Sequence, residues 1–137
     1  MKYCLIAMVA LLSCSIYAQD KKDTIDIQLQ ACLDSSQNQT TVGMIDCEGR
    51  AAAAWDKQLN KYYKLLMGVL TGDEKEKLKT SQLNWLKFRD SENDFSSTMY
   101  TDMQGTMWRV SNVGAEVDLI KRRALELKSY YEDKTSQ

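Results

Sequence analysis

Val110, Val113, Val117, Ile120, Ala124, Leu127 and Tyr131 alternate steps of three and four residues. Only an α-helix gathers that spacing on one side. The 137-residue chain has no proline, so nothing forces a break inside such a helix. No stretch alternates apolar and polar residues as a half-buried strand does. The pattern predicts an all-α fold built on an antiparallel helical hairpin over about 41–70 and 74–96. A third long helix over 106–133 packs against it to give a three-helix, bundle-like domain.

Local signals set the expected boundaries. Thr40 or Thr41 can cap the first helix, Ala51 to Ala54 favour it, and Trp55, Leu59, Tyr62 and Leu66 form its inward stripe. Thr71-Gly72-Asp73 interrupts the pattern, and Thr71 with Glu74 reads as a capping box for the second helix. Leu78, Trp85, Phe88 and Phe95 are expected to face inward from that helix, and 97–105 is expected to be a loop or a frayed helix end. Residues 19–40 are polar and aperiodic apart from Ile25, Ile27 and Leu29, and read as an N-terminal arm. The helical domain proper is placed at 41–133.

The beginning of the chain reads as an export signal. Lys2 precedes an apolar run over 3–12, which is too short to span a bilayer, and small residues over 13–18 precede a predicted cut between Ala18 and Gln19. An alternative reads Leu11-Leu12-Ser13-Cys14 as a lipoprotein box with Cys14 lipidated; only then is a membrane partner expected. In both cases the protein acts outside the cytoplasm, periplasmic or secreted. Cys32 and Cys47 are the two cysteines outside this leader. In an oxidising compartment they are expected to form a disulfide, worth about 3 kcal/mol for a loop of this length. The chain contains no histidine, and two thiols alone do not make a zinc site. No metal or cofactor is expected.

Charge is segregated along the sequence. Residues 57–89 carry eight bases and three acids, whereas 90–118 carry six acids and one base. Nucleic acid is disfavoured as a partner by export and by the lack of a dominant basic patch. A cationic protein suits the acidic regions, although ordinary solvated helix faces would give the same composition. Catalysis finds little support: no Ser-His-Asp or HExxH arrangement is possible without histidine. The carboxylate pairs Glu92/Asp94 and Asp46/Glu48 stand two residues apart, which points them to different sides of a helix. No catalytic residue is assigned.

Two stretches mix ionisable and large apolar side chains at helical spacing: Trp55-Asp56-x-x-Leu59-Asn60-x-x-Tyr63 and Ser81-Gln82-x-x-Trp85-x-x-Phe88-Arg89-Asp90. With the hairpin turn near residue 72, Asp56 is expected to meet Arg89 in an ion pair, and Asn60 and Gln82 to complete a polar layer. Such a partly buried pair sets register more than it adds stability. A recognition surface is sought around the second loop. There Glu92, Asp94, Tyr100 and Asp102 accompany Met99, Met103, Met107 and Trp108, a mixture suited to a basic protein surface. Packing at the end of the bundle is the competing reading of the same residues.

The spacing of Cys47, Asp56, Leu59-Asn60, Tyr63, Leu66, Leu78, Ser81-Gln82, Trp85 and Phe88-Arg89-Asp90 resembles the LprI-like family of lysozyme inhibitors, small exported bacterial helical domains. Thr40-Thr41 and Met44 ahead of Cys47 match as well, and the resemblance runs from about Cys32 to Leu127. Family members often carry further cysteines after the Arg-Asp pair and before the last helix; here no cysteine follows Cys47. The resemblance implies an exported protein-binding domain that inhibits lysozyme by steric occlusion. An envelope-associated interaction module without lysozyme activity is the alternative.

Overall fold

The computed structural model describes residues 22–136; the expected leader at 1–18, with Cys14, lies outside them. Among the described residues there are four helices and no strand: α1 (Thr24–Asp34), α2 (Thr41–Val69), α3 (Gly72–Thr101) and α4 (Met107–Thr135). The all-α expectation holds, but the helix count is four rather than three. The additional helix, α1, occupies part of the expected N-terminal arm at 19–40. Asp23 caps it by accepting from the Ile25 N–H at 2.9 Å. Ile25 and Leu29, four residues apart, turn toward the core. Reading Ile25, Ile27 and Leu29 at two-residue steps obscured this helical pair, and Ile27 is exposed.

The Cys32–Cys47 disulfide is present and joins the end of α1 to the first turns of α2, with a Cα–Cα distance of 5.8 Å. A 3-10 turn at Ser36–Asn38 leads into α2, whose cap Thr40 accepts from the Gly43 N–H at 3.1 Å. Gly43 is required here: a Cβ at that position would come within 2.7 Å of the Asn38 Cα.

The expected hairpin is not the packing unit. α2 packs chiefly on α4, and the two run parallel. The Thr41 and Thr106 hydroxyls meet at 2.9 Å at one end, and the Tyr62 and Tyr131 rings approach to 6.3 Å toward the other. Trp55 and Leu59 from α2 and Val117, Ile120 and Leu127 from α4 fill this seam, while Ala51 and Ala124 are the small residues within it. Each large apolar side chain so buried contributes about 1.5–3 kcal/mol. Lys121 adds a cross-tie from α4, pairing with Asp26 of α1 at 2.6 Å and lying over the Trp55 ring.

α3 is the return limb between these parallel helices. It runs antiparallel to α4, as the Asn112–Ser97 contact at 3.1 Å and the Lys134–Glu74 ion pair at 2.7 Å show. Glu74 also accepts from the Thr71 N–H and hydroxyl. The Lys134 and Thr71 hydrogen bonds together hold the Glu74 carboxyl down to about 2. Of the two expectations for 97–105, a loop or a helix end, the helix end holds for 97–101, which continue α3. Thr98 and Thr101 each donate to the carbonyl four residues back, and the first sterically distinct residue is Gly105, at φ +96°. That value is in the left-handed region that glycine adopts freely.

Candidate functional site

α3 presents most of its side chains to solvent. Of its thirty residues only Leu78 and Gln82 are buried. A buried arginine fastens it. Arg123 of α4 is 6% exposed; its Nε donates to Gln82 Oε1 at 3.0 Å, Nη2 to Ser81 Oγ at 3.2 Å and Nη1 to Glu126 Oε2 at 2.6 Å. Each of the three guanidinium nitrogens thus meets an acceptor, as a buried charge requires. Sequence reasoning missed this residue. Its signal was position: Arg123 stands three residues after Ile120 and four before Leu127, on the buried side of α4.

The polar layer predicted from the two motif stretches is distributed differently. Asp56 accepts from the Asn60 side chain at 2.8 Å, within α2. Gln82 turns to Arg123 on α4, as just described. Arg89 pairs with its neighbour Asp90 at 2.8 Å and lies over the Trp85 ring at 5.5 Å. The Asp56–Arg89 ion pair is therefore not formed. Asp56 lies on one wall and Trp85 and Leu86 on the other of a groove of about 420 Å³ between the two helices. Clamping α3 onto α4 keeps it away from α2.

Trp85 is half-buried against the core, but Phe88 and Phe95, expected inside, are 52% and 61% exposed. The buried line of α3 passes through Leu78 and Gln82, and residues 88 and 95 fall well round the helix from it. Phe88, Phe95 and Met99 (37% exposed) recur at seven- and four-residue steps and form one uncovered apolar stripe. Glu92 and Asp102 lie on the same side of the helix by the same spacing. Of the residues proposed for recognition, Glu92, Asp94 and Asp102 are exposed. Tyr100 turns inward instead, stacking on Trp108 at 6.1 Å and lining a recess with Ile45 and Arg109.

The antiparallel and parallel registers convert the charge segregation of the sequence into a polarity of the molecule. The basic 57–89 segment lies toward the α2–α3 turn, and the acidic 90–118 segment lies at the opposite end with Asp46 and Glu48 of α2. Desolvation first, and then the charge of Asp118, raise the Glu48 carboxyl above its ordinary value. Among the described residues no three metal-ligating side chains gather at one point, and no helix is long and apolar enough to cross a membrane.

Comparison with known proteins agrees with this architecture. An uncharacterized protein from Burkholderia thailandensis, known from its crystal structure, superposes with a TM-score of 0.78 at 26% identity, over 85% of this chain and 56% of that one. The present chain thus spans a little over half the length of that protein. No curated protein matches it. The family described as "Lysozyme inhibitor LprI" matches residues 32–127. That range runs from the first disulfide cysteine through α2 and α3 to Leu127 in the α4 seam, and the chain belongs to the LprI lysozyme inhibitor family.

Proposed function

We propose that this protein is an exported inhibitor that binds a cationic lysozyme and occludes its cleft. The observation that carries the reading is the outer face of α3, where Phe88, Phe95 and Met99 stand uncovered beside Glu92 and Asp102. Apolar anchors rimmed by one sign of charge suit a protein interface. The six acids of the 90–118 segment orient and accelerate approach of a basic partner. Asp94 is exposed on the same half of α3 and adds to this field, whereas Tyr100 is packed and supports the α3–α4 turn.

The test is a cell-wall lysis assay with the purified protein titrated against several lysozymes. Stoichiometric inhibition that weakens as salt rises is expected. Phe95→Ala should weaken inhibition strongly, as removal of an interface anchor does. Combined Glu92→Gln and Asp102→Asn should act mainly through a slower association rate. Absence of inhibition at micromolar protein rejects the lysozyme reading and leaves an interaction module of the envelope. Inhibition that survives Phe95→Ala and the amide pair undiminished rejects α3 as the contact.

A further inference from the structure

Some of the residues that mark the family, Leu59, Leu66, Leu78 and Trp85, join the core; the polar ones Asp56, Asn60 and Gln82 line the groove between α2 and α3. Asp56, Asn60 and Tyr63 stand on the α2 wall, and Gln82, Trp85 and Leu86 on the α3 wall. At about 420 Å³ the groove is within the usual range of small-ligand sites. Its polar groups are held in fixed orientations yet keep unused hydrogen-bonding capacity. The Asn60 amide donates to the Asp56 carboxylate, leaving the second Asp56 oxygen and the Asn60 carbonyl without a partner among the described residues. Arg123 can only donate, so it fixes the Gln82 oxygen toward α4. The Gln82 NH2 then remains a free pair of donors on a side chain only 9% exposed.

The chemistry of these walls narrows the ligand. An anion would meet Asp56, and the nearest cation on the α3 wall, Lys79, is already paired with Glu76 at 2.7 Å. A cation would approach through Lys57, Lys61 and Lys64 on the outer side of α2. A purely apolar ligand would strand the acceptors of Asp56 and Asn60 and the donors of Gln82. A neutral ligand rich in hydroxyl groups, with a flat apolar face for Tyr63 and for the part of Trp85 that lines the groove, satisfies all of them, while Arg89 lies over the Trp85 ring. We propose that the α2–α3 groove is a carbohydrate-binding site that takes a short oligosaccharide of pyranose sugars, separate from the outer face of α3.

The test uses NMR of the ¹⁵N-labelled protein titrated with two β-1,4-linked probes, an N-acetylglucosamine oligomer and a cello-oligosaccharide. The Trp85 indole and the Asn60 and Gln82 side-chain amides should shift saturably, while the Trp55 and Trp108 indoles stay in place. A response to the acetylated probe alone means that the groove reads the acetamido group; a response to both means that it reads the sugar ring. Asn60 is exposed, so Asn60→Ala should leave the melting temperature unchanged and weaken the glycan by about fivefold, the loss of one net hydrogen bond. It should also leave lysozyme inhibition intact, which separates this site from the α3 face. Three results overturn the proposal: no shift of these resonances with either glycan, shifts that Asn60→Ala does not weaken, or shifts produced only by lysozyme.

Discussion

α3 and α4 are thirty and twenty-nine residues long, but α4 buries six side chains and α3 two. The difference comes from the angular placement of apolar residues. On α4, Val117, Ile120, Ala124 and Leu127 lie along one line and bury together against α2. On α3, Leu78, Leu83, Leu86, Phe88, Phe95 and Met99 point in several directions, so no single neighbour can cover them. One helix is fixed by its apolar line and the other mostly by hydrogen bonds and ion pairs to α4. The second arrangement leaves two surfaces of α3 open, the outer stripe and the groove toward α2.

Deleting equivalent apolar bulk from each helix is the largest test of this contrast. Leu127 is fully buried, and Leu127→Ala should cost about 2–5 kcal/mol through lost transfer energy and a cavity. Phe95→Ala removes a larger side chain, yet it should stay within about 0.5 kcal/mol because the ring is already in water. Denaturant unfolding of the two variants measures both. Comparable losses would mean that Phe95 is covered in the folded protein, and would undo the contrast.

The α2–α4 seam was legible because its apolar line on α4, Val117, Ile120, Ala124 and Leu127, follows three- and four-residue steps. The caps at Thr40 and Thr71 and the Cys32–Cys47 bridge were legible for the same local reason. The partner of each helix was not. Sequence adjacency suggested that α2 would pack on α3, but helix choice depends on which apolar lines are continuous, and the line on α3 turns polar after Trp85. A buried polar contact 41 residues away, Arg123 to Gln82, then decides where α3 lies. The acidic segment was visible in the sequence as charge alone, and the outward turn of Phe88 and Phe95 beside it was not.

Arg123 is the joint between the two helices, so its removal should loosen one and spare the other. Arg123→Ala strands Gln82, Ser81 and Glu126. The expected loss is about 1–3 kcal/mol, because the Glu126 carboxylate still reaches water. Hydrogen exchange should show α3 amides losing protection while the α2 and α4 amides keep theirs relative to global unfolding. A uniform loss across all three helices would make α3 part of the same cooperative unit as the seam.

The smallest effect probes a flaw inside the better-packed pair. Glu48 of α2 lies where a Cβ on Gly114 of α4 would touch it, and Asp118 is the like charge nearby. Arg50 is spent on Asp46 and Lys121 on Asp26. Because folding raises the Glu48 carboxyl above its ordinary value of 4.5, the native state favours the protonated form. Its stabilising contribution is complete below the unfolded value and is lost as pH rises through the higher folded value. Ionised Glu48 therefore opposes the seam at neutral pH. Glu48→Gln imitates the protonated carboxyl and has nearly the same helix propensity. It should raise the melting temperature at pH 7 by an amount worth less than about 1 kcal/mol, and the gain should vanish below about pH 4. A gain that persists unchanged into acid would assign it to packing rather than charge, and would leave the α2–α4 seam without the electrostatic defect inferred here.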